Sequence, residues 1–284
     1  MKMNIRNISG RIFTILLLLV CVVAISACGN AESSEQTSVT TDASPQPEAE
    51  NEEEVEEVTE PTPTPDPHSQ YTVVIDAGHQ KKANTGQEKI GPKAKEKKNK
   101  VDEGNVGVST GNKEYELNLS VALKLQKALE EKGYQVCMVR ETNKVNISNK
   151  ERAEIANEQG DIFIRLHCNT SSDSERQGVL VLCPTADNPY PVGKKFTECE
   201  TLAYGILTRV CDKTGAENRG VVKTDYMTGM NYSKIPVIML EMGYLSNTEE
   251  DEKLGTGAYQ NKIVKGIAKG VDDYFGFQKK KKKK

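Results

Sequence analysis

The chain holds three histidines, and two of them close apolar runs: Val73-Val74-Ile75-Asp76-Ala77-Gly78-His79 and Ile162-Phe163-Ile164-Arg165-Leu166-His167. Either one alone reads as a structural or surface residue. As a pair at equivalent strand ends they point to a metal, because neutral imidazole is a common zinc ligand and two can converge from neighbouring strands. A catalytic zinc needs a third protein ligand and an open position for water. Cys168 is poorly suited, since strand alternation turns it away from His167. Carboxylates are better candidates. Glu114 opens a helical pattern after a glycine-rich loop, and Glu241 closes the apolar run Val237-Ile238-Met239-Leu240. A carboxylate there is expensive to bury unless something positive meets it, so Glu241 is expected at a site, its role left open.

The elements that must position these groups are short. Strand patterns occupy residues 71–76, 135–140, 162–167, 178–183 and 237–241, and helical periodicity covers 114–132, 150–159, 197–212 and 257–275. The first helix places Leu117, Val121, Leu125, Ala128 and Leu129 on one face and ends before Gly133, a suitable cap. Strands alternating with helices predict an α/β fold: a single domain over 71–278 with a twisted, mainly parallel central sheet flanked by helices on both faces. Ligands bind such sheets at the C-terminal strand edge, where both histidines fall. The sequence Asp76-Ala77-Gly78-His79 reads as a sharp turn in which Gly78 takes the unusual conformation. Residues 80–113 fit no element, and Gly229-Met230-Asn231-Tyr232 reads as either a loop over the cleft or a plain connection.

Four segments in order carry a resemblance: Asp76-Ala77-Gly78-His79, Glu114-Tyr115-Glu116-Leu117-Asn118-Leu119, Arg165-Leu166-His167-Cys168-Asn169, and Pro236 through Asn247. Together they resemble the zinc-dependent N-acetylmuramoyl-L-alanine amidases of the type 3 family over about residues 71–277. The resemblance implies that His79, Glu114 and His167 bind Zn2+ and that Glu241 is the catalytic glutamate. Glu116 is the rival to Glu114, but the family usually has a Leu five positions after the metal glutamate, which Leu119 supplies only for Glu114. Arg165 stands where many members have Ser, and Cys168 where Ala is common. By strand alternation Arg165 and Asn169 share a face with His167 and are expected to line the substrate groove. The implied reaction removes stem peptides from peptidoglycan. A non-catalytic peptidoglycan-binding module and a zinc peptidase cutting another wall-peptide bond are the alternatives.

Charge divides the rest of the chain. Residues 29–70 carry twelve acids and no Lys or Arg, whereas 71–284 hold 35 bases and 29 acids, the excess residing in the six lysines at 279–284. The near-neutral domain offers no broad basic field, so no nucleic acid is expected as a partner. Lys2, Arg6 and Arg11 precede an apolar run ending at Ile25-Ser26-Ala27-Cys28, which resembles a bacterial lipoprotein signal. Residues 1–27 are expected to be a signal peptide. Cys28 would be acylated and inserted in the lipid bilayer, at the outer face of the cytoplasmic membrane or in the wall. Residues 28–70 should form a disordered tether and 279–284 a flexible tail, with His68 solvated. A monomer is expected. The other five cysteines are odd in number and lack CxxC spacing, so they read as small buried hydrophobes with room for one disulfide at most. The chain shows neither a nucleophile elbow nor a phosphate loop.

Overall fold

The computed structural model describes residues 66–277. Strand β5 (Ile162–Asn169) runs through the middle of the sheet, buried at every residue but the last. It pairs in parallel with β1 (Thr72–Ala77) on one side and β8 (Val237–Tyr244) on the other. Beyond β1 lies β4 (Gln135–Met138), also parallel. On the far side β6 (Val179–Cys183) is antiparallel to β8, and β7 (Asn218–Lys223) runs alongside β6. The order β4-β1-β5-β8-β6-β7 is mainly parallel, as expected for an α/β domain. The reversal of β6 is not visible in a Val/Leu run that reads alike in both directions. Strand β7 was missed because Asn-Arg-Gly-Val-Val-Lys has too little apolar alternation to signal a strand.

Helices α1 (Glu114–Glu130), α3 (Phe196–Thr214) and α6 (Gly257–Tyr274) pack together on one face of the sheet. The other face carries α2 (Asn149–Gln159) and the single turn α4 (Thr228–Asn231), while α5 (Thr248–Leu254) follows β8. The apolar stripe Leu117, Val121, Leu125 and Leu129 is buried as its spacing requires. Helix α2 starts at Ser148, whose hydroxyl accepts from the Glu151 amide while the Glu151 side chain accepts from the Ser148 amide.

Residues 80–113 differ from expectation. They contain an antiparallel hairpin of β2 (Asn84–Lys89) and β3 (Lys97–Val101), followed by a bridge between Val106 and Lys113. Only Glu88 and Val101 are buried within the two strands, so no hydrophobic face exists to mark them. The hairpin is held by groups from elsewhere: Asn149 Nδ2 donates to the Lys100 carbonyl at 2.9 Å, and Asn231 Nδ2 to the Ile90 carbonyl at 2.8 Å. His68 also departs from expectation, packing on Tyr134 and Phe277 at centroid distances of 4.8 and 4.0 Å. The cysteines at 137, 168, 183, 199 and 211 are free, three of them buried. Among the described residues no helix is long and apolar enough to cross a membrane. The expected signal, Cys28, the tether up to residue 65 and the lysine tail lie outside the described residues.

The turn after β1 is fixed by three buried arginines. Asp76 lies fully buried between Arg152 and Arg165, with Arg152 Nη1 at 2.5 Å from Oδ1 and Arg165 Nε at 2.9 Å from Oδ2. Arg152 also donates to the carbonyls of Ala77 and His79, and Arg140 to those of Ala77, Gly78 and Tyr115. Burial alone would raise the Asp76 carboxyl, but the two guanidinium charges outweigh it and hold the group far below the usual carboxylate range. Asp76 therefore stabilises the fold above its unfolded pKa of about 3.9, and that contribution fades as pH falls below it. Asp76→Ala should cost about 3–5 kcal/mol at pH 7, because two buried cations lose their partner. Urea unfolding at pH 7 and pH 3 should show the wild-type–variant gap narrowing at the lower pH.

Candidate metal and catalytic site

His79 leaves β1 in a left-handed conformation, φ 61°, and so the histidine, not Gly78, is the unusual residue of the turn. That conformation costs an L-residue about 1–2 kcal/mol and persists only where the surroundings enforce it. Here the enforcing contacts are the Arg152 bond to the His79 carbonyl, 3.0 Å, and the His79 Nδ1 bond to the Asp102 carbonyl, 2.8 Å. With Nδ1 donating, Nε2 carries the free lone pair, 3.2 Å from Glu114 Oε1. Gly78 matters for space instead: a Cβ there would lie 2.3 Å from the His167 ring.

Glu114 is the first residue of α1 and is buried. Its Oε1 lies 3.2 Å from both His79 Nε2 and His167 Nδ1 and accepts from the Cys168 amide at 3.0 Å. Its Oε2 accepts from the Asn105 amide at 2.8 Å and from Asn105 Nδ2 at 2.9 Å. Burial opposes its charge, but its close contacts with His167 and His79 win and hold the carboxyl well below its ordinary value. Burial pushes His167 down to about 4, with Glu114 acting against it, so this imidazole is neutral at physiological pH. For His79 burial acts downward, but Glu114 and Asp102 together move it upward.

One ligand atom from each of His79, Glu114 and His167 lies within 4.8 Å of the others. In the same region His167 Nε2 and Glu241 Oε2 are buried without a hydrogen-bond partner, an uncommon condition for interior polar atoms. Two imidazoles, a carboxylate and orphaned polar atoms fit a metal ion. Glu241 stands beside them because it is the register partner of His167 across β5 and β8. Burial first, and then the like charge of Glu114, push its carboxyl up to about 8. His79, His167 and Glu241 share a cavity of about 240 Å³ with Lys98, Tyr226 and Thr228.

The rejected rival Glu116 and the groove candidates Arg165 and Asn169 lie outside the ligand cluster. Glu116 is exposed and takes no part in the cluster. Arg165 lines the cavity but is 2% exposed and committed to Asp76 and Asn149. Asn169 opens instead on a shallow hollow with Thr170, Ser171 and Tyr244, because a bulge shifts the ladder between the pairs His167–Glu241 and Asn169–Tyr244. Tyr226, Met227 and Thr228, the first residue of α4, line the cavity wall, whereas Gly229-Met230-Asn231-Tyr232 does not.

Sequence reading missed Asn105 and Asp251. Asn105 clamps Glu114 and also donates to the Cys168 carbonyl at 3.2 Å. Asp251, fully buried on α5, accepts from the amides of Ser109 and Thr110 at 2.8 Å each and so anchors the loop leading into Glu114. The one local signal was a polar Asn between glycines just ahead of a buried-site glutamate.

A profile of the N-acetylmuramoyl-L-alanine amidases matches residues 73–273. The chain belongs to this family. Among curated relatives, the N-acetylmuramoyl-L-alanine amidase LytC of Bacillus subtilis strain 168 is 26% identical over 175 residues, 61% of this chain but only 34% of LytC. The catalytic domain of CwlV, an N-acetylmuramoyl-L-alanine amidase of Bacillus (Paenibacillus) polymyxa var. colistinus, is 27% identical with a TM-score of 0.58, over 73% of this chain and 99% of that one. The N-acetylmuramyl-L-alanine amidase Ami1 of Mycobacterium smegmatis shares the fold, with a TM-score of 0.67 at 18% identity over 74% of this chain and 99% of Ami1. The fold described above is thus that of amidase catalytic domains.

Partners that orient a metal ligand are typically worth 10–100-fold in metal affinity. Asn105→Ala should weaken metal binding by about that factor, measured by competition with a chromophoric chelator, whereas Glu116→Gln should leave it unchanged.

Proposed function

We propose that the chain is a zinc-dependent amidase that hydrolyses the bond between the lactyl group of N-acetylmuramic acid and L-alanine in peptidoglycan stem peptides. The observation that carries this reading is the cluster of ligand atoms from His79, Glu114 and His167, with Glu241 lining the same cavity as the two histidines. Membership of the amidase family supports the substrate class. Two imidazole nitrogens and one carboxylate oxygen form a donor set suited to zinc with one position left open. When bound, the zinc ion would supply Lewis acidity, which polarises a carbonyl and lowers the pKa of water to about 7.

The protein groups do the rest. Glu114 is held by Asn105 and the Cys168 amide, so with His79 and His167 its carboxylate would hold the metal from a fixed position. Glu241 takes the proton of the attacking water on a carboxylate oxygen, the C–N bond breaks, and the same carboxyl delivers the proton to the departing amine of L-alanine. Its burial and the like charge of Glu114 favour the protonated form that this second step needs. Lining the cavity, the buried Arg165 steadies the turn through Asp76. Asn169 would meet more distant parts of the wall polymer from its neighbouring hollow.

The same reading places the enzyme outside the cytoplasmic membrane, acylated at Cys28 and tethered through residues 28–70, acting as a monomer on peptidoglycan. Two acyl chains at about 0.8 kcal/mol per buried CH₂ suffice for stable anchoring.

Purified peptidoglycan treated with the enzyme should release whole stem peptides and leave intact muramic acid, as read by mass spectrometry. Chelation should abolish release and zinc should restore it, while Glu241→Gln should lose at least about 100-fold in kcat. Trimmed peptides among the products, or near-normal release by Glu241→Gln, would refute the assignment. In cells, Cys28→Ala should move the protein from the membrane fraction to the soluble exported fraction.

A further inference from the structure

The hairpin that separates His79 from Glu114 in sequence brings one cation to the cavity. Lys98, on β3, is half-buried in the cavity wall and donates from Nζ to the Tyr226 carbonyl at 2.8 Å, with the ammonium 3.4 Å from the centre of the Tyr226 ring. The carboxylates whose charge acts on it are engaged elsewhere. Glu96 accepts from the Tyr226 hydroxyl, and Asp102 accepts from Asn99 Nδ2 at 3.0 Å. Arg165, another cation lining the same cavity, is already paired with Asp76. Lys98 is thus an ammonium held in place by a carbonyl and an aromatic face, forming no ion pair with a carboxylate among the described residues. Burial moves its ammonium down from the ordinary value, with Glu96 and Asp102 only partly opposing.

An immobilised lysine at the wall offers charge-assisted hydrogen bonds to an incoming carboxylate at little further loss of side-chain freedom.

We propose that Lys98, held by Tyr226, is a specificity-determining residue that selects stem peptides bearing a free carboxylate close to the scissile amide over those in which it is a carboxamide. This rests on the amidase reading above. The contact is formed on substrate binding and changes no covalent bond, so it should be expressed in KM more than in kcat.

The test compares two synthetic substrates, N-acetylmuramoyl-L-alanyl-D-isoglutamate and its isoglutamine counterpart, with the zinc-loaded full chain. Wild type should prefer the carboxylate by about tenfold in kcat/KM, the size expected for one charge-assisted hydrogen bond. In Lys98→Gln the preference should collapse through KM, and Lys98→Arg should restore most of it. Equal kcat/KM for both substrates in wild type would overturn the proposal. So would a Lys98→Gln variant that loses kcat on both alike with a lowered Tm, the signature of a clasp that merely holds the hairpin. Cleavage of neither substrate by wild type would overturn the amidase reading itself, and the Lys98 proposal with it.

Discussion

A single buried carboxylate, Asp76, ties the fold to the site. It lies one residue before the end of β1, between Arg152 of α2 and Arg165 of β5, and Arg152, joined by Arg140, also holds the carbonyls of the turn that follows. Three buried guanidinium groups around one carboxylate are tolerable only because nearly every donor finds a carbonyl or carboxylate. The outcome is a turn rigid enough to keep His79 left-handed. Had the cluster been replaced by apolar packing, the strand edge could relax and the imidazole would no longer be aimed.

The site follows the same logic of fixed polar partners around a flexible chain. Glu114 sits between the two histidines, and both of its oxygens are held by amide donors from Asn105 and Cys168. Those donors come from separate segments, one from the loop pinned by Asp251 and one from the central strand. Glu241 differs: it has an orphaned oxygen in a dry setting that favours its neutral form. One carboxylate is thus committed to charge and its neighbour shifted toward its neutral form, a division set by hydrogen bonding on one side and burial on the other.

The insertion at 80–113 gives the cavity a wall of its own. As a two-stranded ribbon with almost no apolar face, it gains its order from Asn149, Asn231 and the Glu88 contact to the α2 amide of Lys150. Through it the opposite side of the chain, Tyr226 and the turn α4, is drawn to the cleft. The cavity is therefore bounded by segments about 130 residues apart.

Much was legible in the sequence. Apolar runs of strand length, helices with a clear stripe and two histidines at equivalent strand ends define an α/β sheet with chemistry at its C-terminal edge, because periodicity and turn residues act locally. What tertiary structure alone decided depends on partners remote in the chain. The direction of β6, the existence of β7 and the hairpin, the left-handed His79, Asn105 as the clamp on Glu114 and the commitment of Arg165 to Asp76 all rest on such contacts. Alternation placed Asn169 beside His167, but a bulge on β8 that no local pattern announces sent it to another hollow. Residue type and period fix which side chains can do chemistry; only long-range packing and buried polar pairing fix which of them meet.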